Sequence, residues 1–163
     1  NGLSPRENRE IPPLEYDWVY RLKRELPHLL IIINCGIDSL DASRHHLQQV
    51  DGIMLGRHAY ADPYALAVFD NALCGGNSAM PEREAIVEKF LLYVERERAR
   101  GTYLKHMSRH LLNFFQGQPG ARQWRRTLST EAIDVQADAT VIRSALDDNR
   151  IVRLRTDAHL ALN

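Results

Sequence analysis

Leu29-Leu30-Ile31-Ile32-Ile33-Asn34 and Gly52-Ile53-Met54-Leu55-Gly56 are the stretches that decide the fold. Each is a short run of aliphatic and β-branched residues ending at a glycine-containing turn, Asn34-Cys35-Gly36-Ile37 after the first and Gly56-Arg57 after the second. Residues 39–50 between them have helical character, so the unit reads β–turn–α–β, and strands joined by a crossover helix run parallel. Neither run alternates apolar with polar residues, which suits strands covered on both faces. In an α/β barrel the βα loops form the functional face, and the loops after the last two strands often hold a phosphate. Glycine lets backbone N–H groups come close to an anion, and Arg57 adds a fixed positive charge. The plainer reading of the same glycines is turn chemistry alone.

The chain of 163 residues is 44% hydrophobic and 26% charged, with zero formal net charge. That is the composition of a globular protein long enough to bury a core. Neutrality overall leaves room for a locally basic face. Cys35 and Cys74 are the only cysteines and lack CxxC spacing, so neither a zinc site nor a disulfide scaffold is expected, and the reducing cytoplasm is the expected compartment. No apolar run has the length of a membrane helix and no signal-peptide pattern opens the chain, so no membrane partner is expected.

In chain order, residues 1–13 hold Pro5, Pro12 and Pro13 around the charge run 6–10 and read as a loop. Arg6 and Arg9, three apart, could face one partner or simply form a solvated run. Residues 14–26 read as an amphipathic helix with Trp18, Val19, Leu22 and Leu26 as its apolar stripe, stopped by Pro27. Asp38 or Ser39 caps the crossover helix, and His45 and His46 read as surface or packing residues. Asp62-Pro63 opens a helix that continues through residue 73. The small and flexible residues at 74–81 mark a boundary, and beyond them only helices are expected, over 82–100, 103–115, 120–128 and 136–146. Residues 149–163 read as a frayed tail. The expected fold class is therefore α/β plus all-α: an α/β part with two parallel strands over 1–73, which the resemblance given below implies to be the C-terminal strands of an incomplete (β/α)8 barrel, a linker over 74–81, a small helical bundle over 82–148 and the tail. Two parallel strands cannot close a barrel, so further strands are expected before Asn1.

The helical part carries a charge imbalance. Residues 101–128 contain five cations (Lys105, Arg109, Arg122, Arg125, Arg126) and no Asp or Glu. Lys105 and Arg109 share a helical face; so do Arg122, Arg125 and Arg126, while Ala121, Trp124 and Leu128 turn inward. Spaced cations on a neutral protein suit spaced phosphates, with nucleic acid the leading partner and an ordinary basic surface the bland alternative. His106 and His110 have i, i+4 spacing, but no Glu lies between them and no third ligand is apparent, so no metal is expected.

Together, Gly2-Leu3-Ser4-Pro5-Arg6-Glu7-Asn8-Arg9, Glu10-Ile11-Pro12-Pro13-Leu14, Ile33-Asn34-Cys35-Gly36-Ile37, the run 51–60 beginning Asp51-Gly52-Ile53 and the run 115–126 beginning Phe115-Gln116-Gly117 resemble the C-terminal half of the tRNA-dihydrouridine synthases, most closely their A subfamily. The resemblance implies an FMN-binding (β/α)8 barrel, with 29–34 and 52–55 as its last two strands, followed by a helical domain that helps hold tRNA. It implies that Asn34, Cys35, Gly36, Gly56 and Arg57 hold the flavin phosphate, and that Arg6, Arg9, Arg122 and Arg125 contact tRNA. The family reduces the C5–C6 double bond of tRNA uridines, D-loop uridines in the A subfamily, using FMN reduced by NADPH, and a cysteine supplies a proton. That cysteine belongs to an earlier strand loop, so no catalytic residue is expected in this chain, which by itself should be inactive. The family has Gly-Gly where this chain has Cys35-Gly36. A non-catalytic RNA-binding fragment and another FMN barrel oxidoreductase are the alternative readings.

Overall fold

The computed structural model describes residues 4, 7, 13–75 and 79–160, with side chains through 155. The chain divides into two units, residues 1–56 and 57–163.

In the first unit, α1 (Tyr16–Glu25) leads to β1 (Ile32–Asn34), α2 (Leu40–Leu47) and β2 (Gly52–Met54). The strands pair in parallel, Ile32 with Gly52, Ile33 with Ile53 and Asn34 with Met54. The β–α–β reading therefore holds, but β1 is half the predicted length. Leu29 N–H bonds back to the Leu26 carbonyl in the turn after Pro27. Ile31 N–H then donates to the Asp51 carboxylate, 2.8 Å, before regular pairing begins. Ser39 is the cap of α2, accepting from Ala42 N–H at 3.2 Å. Tyr20, Ile33, Ile37 and Val50 form the buried centre.

The inward face of α1 differs from the predicted stripe. Trp18 is 65% exposed, Leu22 and Leu26 are exposed, and Tyr20 is the buried residue. The reason lies in the polar tips of the inward residues. Tyr20 Oη shares a 2.6 Å hydrogen bond with Nδ1 of buried His46 on α2, and Lys23 Nζ bridges Asp51 at 2.7 Å and the carbonyls of Pro27 and Leu29. Val19 of the predicted stripe still packs on this core, while these anchors leave Trp18, Leu22 and Leu26 facing away from it.

The second unit is helical among its described residues: α3 (Arg57–Ala61), α4 (Ala65–Leu73), α5 (Arg83–Ala99), α6 (Leu104–Ser108), a 3-10 turn (Arg109–Leu111), α7 (Ala121–Thr130) and α8 (Ala139–Leu160). Its core joins Val87, Leu91 and Val94 of α5 to Leu104, Phe115, Trp124, Leu128, Ile142 and Leu146. Trp124 is fully buried, and its indole N–H donates to the Leu111 carbonyl at 2.7 Å. The same carbonyl also accepts the Phe114 N–H at 2.9 Å, an i to i+3 bond, and the helix predicted over 103–115 is regular only to Ser108 before it passes through a 3-10 turn.

Three further boundaries depart from expectation. Ala65 N–H bonds to the Asp62 carbonyl, so residues 62–64 form the turn before α4 rather than its first residues. The division between units falls after Gly56 and not at 74–81, because α3 and α4 are tied to the later helices. Asn113 Nδ2 donates to the Tyr60 carbonyl at 2.9 Å, and the Arg83 guanidinium lies 3.8 Å from the Tyr64 ring centroid. Residues 149–160 continue α8 instead of fraying. Asn149 is buried, and Arg143, Arg150 and Arg153 pair with Glu88, Glu95 and Glu84 of α5. No helix among the described residues is long and apolar enough to cross a membrane.

Candidate functional site

The parallel register sets Asn34 opposite Met54, so the turns at 34–36 and 55–56 leave the same edge of the sheet. Asn34 Oδ1 accepts the Cys35 N–H at 2.6 Å. Cys35 and Gly36 then both take positive φ, 79° and 69°. Gly36 is doubly required, since a Cβ there would meet Tyr16 Oη at 2.5 Å and Leu14 Cδ1 at 2.6 Å. Cys35 carries its Cβ into the left-handed region that disfavours every side chain. Tyr16 O–H donates to the Cys35 carbonyl at 2.7 Å and clamps the turn from behind. Burial, then the neighbouring Cys35, Tyr20 and Asp38, raises the Tyr16 phenol above its ordinary pKa, so it stays a donor.

This turn leaves the Gly36 N–H without a partner among the described residues, while the Cys35 N–H is engaged by Asn34. Gly56 is exposed and a Cβ there would meet only Met54 Sδ, at 3.7 Å. Arg57, the next residue, is exposed and has no acidic partner among the described residues. A free amide on a left-handed turn and an uncrowded glycine leaving the same sheet edge suit an anion chemically.

The basic face belongs to the second unit. Along α7, Ala121, Trp124, Thr127 and Leu128 are buried, while Arg122 and Arg126 are exposed, as the spacing requires. Arg125 is half-buried and donates to Gln116 Oε1 at 2.8 Å. Before α7, Leu104, Met107, Ser108 and Leu111 are buried, and Lys105, His106, Arg109 and His110 are exposed. None of Lys105, Arg109, Arg122, Arg125 and Arg126 has an acidic partner among the described residues, whereas Arg143, Arg150 and Arg153 of α8 pair with glutamates of α5. Arg6 and Arg9 lie outside the described residues. Sequence reasoning missed Tyr16, which reaches Cys35 across 19 residues, and the Tyr60–His110 pair, which spans 50. No local spacing signals either contact.

Residues 2–149 match the family model described as Dihydrouridine synthase. The tRNA-dihydrouridine(20/20a) synthase of Escherichia coli (strain K12) is 51% identical over 146 residues, covering 90% of this chain and 42% of the relative. The protein of the same name from Vibrio cholerae serotype O1 is 47% identical over 146 residues, covering 90% and 45%. That of Shewanella oneidensis is 52% identical over 144 residues, covering 88% and 43%. The chain belongs to the dihydrouridine synthase family, and it spans less than half the length of these relatives.

Proposed function

We propose that the chain is the C-terminal portion of an FMN-dependent tRNA-dihydrouridine synthase acting on D-loop uridines, the 20/20a sites of the relatives' name. The observation that carries the reading is the near-half identity to those synthases over nine-tenths of the chain. The common sheet edge of the Asn34–Gly36 and Gly56 turns supports it.

In this reading Gly36 N–H and the Arg57 guanidinium meet the flavin phosphate, and Asn34 and Gly56 shape its two flanking turns. Cys35 fills one of those turns with its backbone alone. Bound FMN, reduced by NADPH, supplies the hydride that saturates the uridine C5–C6 bond. This chain's own part is to hold: the phosphate end of the flavin by the residues named above, and tRNA phosphates by Arg122 and Arg125 together with Arg6 and Arg9 of the N-terminal segment. A protein that must draw a base out of a folded RNA needs such a spread of phosphate contacts. The proton donor and remaining barrel strands come from preceding sequence, so the chain alone is inactive.

The test is tRNA binding by the chain as it stands. Arg122→Ala with Arg125→Ala should weaken binding and flatten the log–log salt dependence by about one unit per lost phosphate contact. Joined to a preceding barrel segment, the chain should retain yellow flavin, and Arg57→Ala should release it. Unchanged tRNA affinity in the double variant alongside retained flavin would favour an FMN enzyme of small molecules instead.

A further inference from the structure

Tyr60 is an exposed aromatic held at several points. The residue is 57% exposed, yet its hydroxyl shares a 2.8 Å hydrogen bond with His110 Nδ1 and its carbonyl accepts from Asn113 Nδ2 at 2.9 Å. The His110 ring adds an edge contact, with centroids 5.8 Å apart. A large ring fixed this way loses little conformational entropy when a flat ligand covers it. In the segment that leads up to its partner His110, the exposed residues of 103–110 alternate aromatic with cation. Lys105 Nζ stands 5.6 Å from the Tyr103 ring centroid, His106 tilts against the same ring at 6.2 Å, and Arg109 precedes His110. Among the described residues, neither Lys105 nor Arg109 has an acidic partner. Fixed rings interleaved with unpaired cations are the chemistry of single-stranded nucleic acid contact, in which bases stack and the backbone pairs with charge.

We propose that Tyr60 is a stacking platform for an unpaired RNA base, with Lys105 and Arg109 taking the phosphates that flank it. This strip is additional to Arg122 and Arg125 and rests on the reading that the partner is tRNA. Its two parts make separable demands. Stacking adds affinity without changing the number of neutralised phosphates, whereas the cations set the salt dependence.

The experiment titrates the full chain with an unmodified tRNA transcript and with a fully paired RNA duplex across a salt series. Tyr60→Ala should weaken tRNA binding by about tenfold with the salt slope unchanged, and duplex binding should not move. Tyr60→Phe keeps the ring and should bind tRNA almost normally. Tyr60→Leu keeps the bulk without the flat face and should behave like alanine, which covers the case of a misfolded alanine variant. Lys105→Ala with Arg109→Ala should reduce the slope by roughly 1.5–2 units on tRNA. If Tyr60→Leu binds tRNA as the parent does, or the double variant keeps the full slope, while the Arg122/Arg125 variant is weakened, the strip is wrong and the tRNA reading stands. If none of the variants differs from the parent, or the parent binds no tRNA, both fall.

Discussion

At Cys35 the backbone stands at φ 79°, held there by Asn34 before it and the Tyr16 hydroxyl behind it. Left-handed backbone costs a residue with a Cβ on the order of 1–2 kcal/mol, part of which glycine returns through its freer unfolded chain. Cys35→Gly should therefore stabilise the first unit by about 1 kcal/mol, read as a higher denaturation midpoint with an unchanged slope. A second residue sets a pH limit. Burial, and then His45, holds His46 below its ordinary pKa of 6.5. The unfolded chain therefore takes up that proton first. The contribution of neutral His46 is complete above pH 6.5 and is lost as pH falls from there through the lower folded value. His46→Asn should flatten that pH dependence in a urea titration between pH 7 and 5. Gly120 offers the third test. A Cβ there would come within 2.5 Å of Asn149 Nδ2, at a φ of 82°, so Gly120→Ala should cost roughly 2 kcal/mol or more, seen as a lower thermal midpoint. Of these positions the sequence marks only the glycines and the odd Cys35 among them. The clamp from Tyr16 and the Tyr20–His46 bond are tertiary, and no residue's own propensity announces them.

Among the elements, type was readable and extent was not. The two parallel strands, the crossover helix with its Ser39 cap and the inward side of α7 follow from apolar spacing and cap chemistry, which act locally. The helix predicted over 103–115 stops at Ser108, and the chain beyond it tightens into i to i+3 bonds while the Leu111 carbonyl also takes the Trp124 indole N–H, a contact thirteen residues away that local spacing does not signal. The orientation of α1 fails because hydrophobic periodicity is blind to the phenol, imidazole and ammonium tips that anchor its other side. The largest miss is the last helix, whose arginines look like a solvated tail until the glutamates of α5 are set beside them. Ending the chain at Asp148 removes buried Asn149 and the pairs made by Arg150 and Arg153. Exposed pairs are worth only about 0.2–1 kcal/mol each, so most of the loss comes from the uncovered core, and the sum should reach roughly 2–3 kcal/mol. Loss of helical circular dichroism at lower temperature would report it; an unchanged midpoint would return these residues to the status of a tail.

Over the whole molecule, the two units have separate buried cores of unequal size. Denaturant should then unfold the chain in two steps, the strand-bearing unit first, and the pH effect of His46 should appear in the first step alone. Tryptophan emission follows mainly the second unit, since Trp124 is fully buried and Trp18 is already exposed, while circular dichroism follows both. A single coincident transition by fluorescence and circular dichroism would show that the units fold as one. The allocation of acids in the second unit has a consequence for handling the protein. Along α5 and α8 glutamate and arginine cancel, and the segment 101–128 keeps its positive charge without an acid of its own. Zero net charge thus conceals an electric dipole. At neutral pH, near its isoelectric point of about 7.2, the chain should ignore a column that weighs only net charge. It should still be retained on a sulfated polysaccharide such as heparin, docking by one side and leaving with moderate salt.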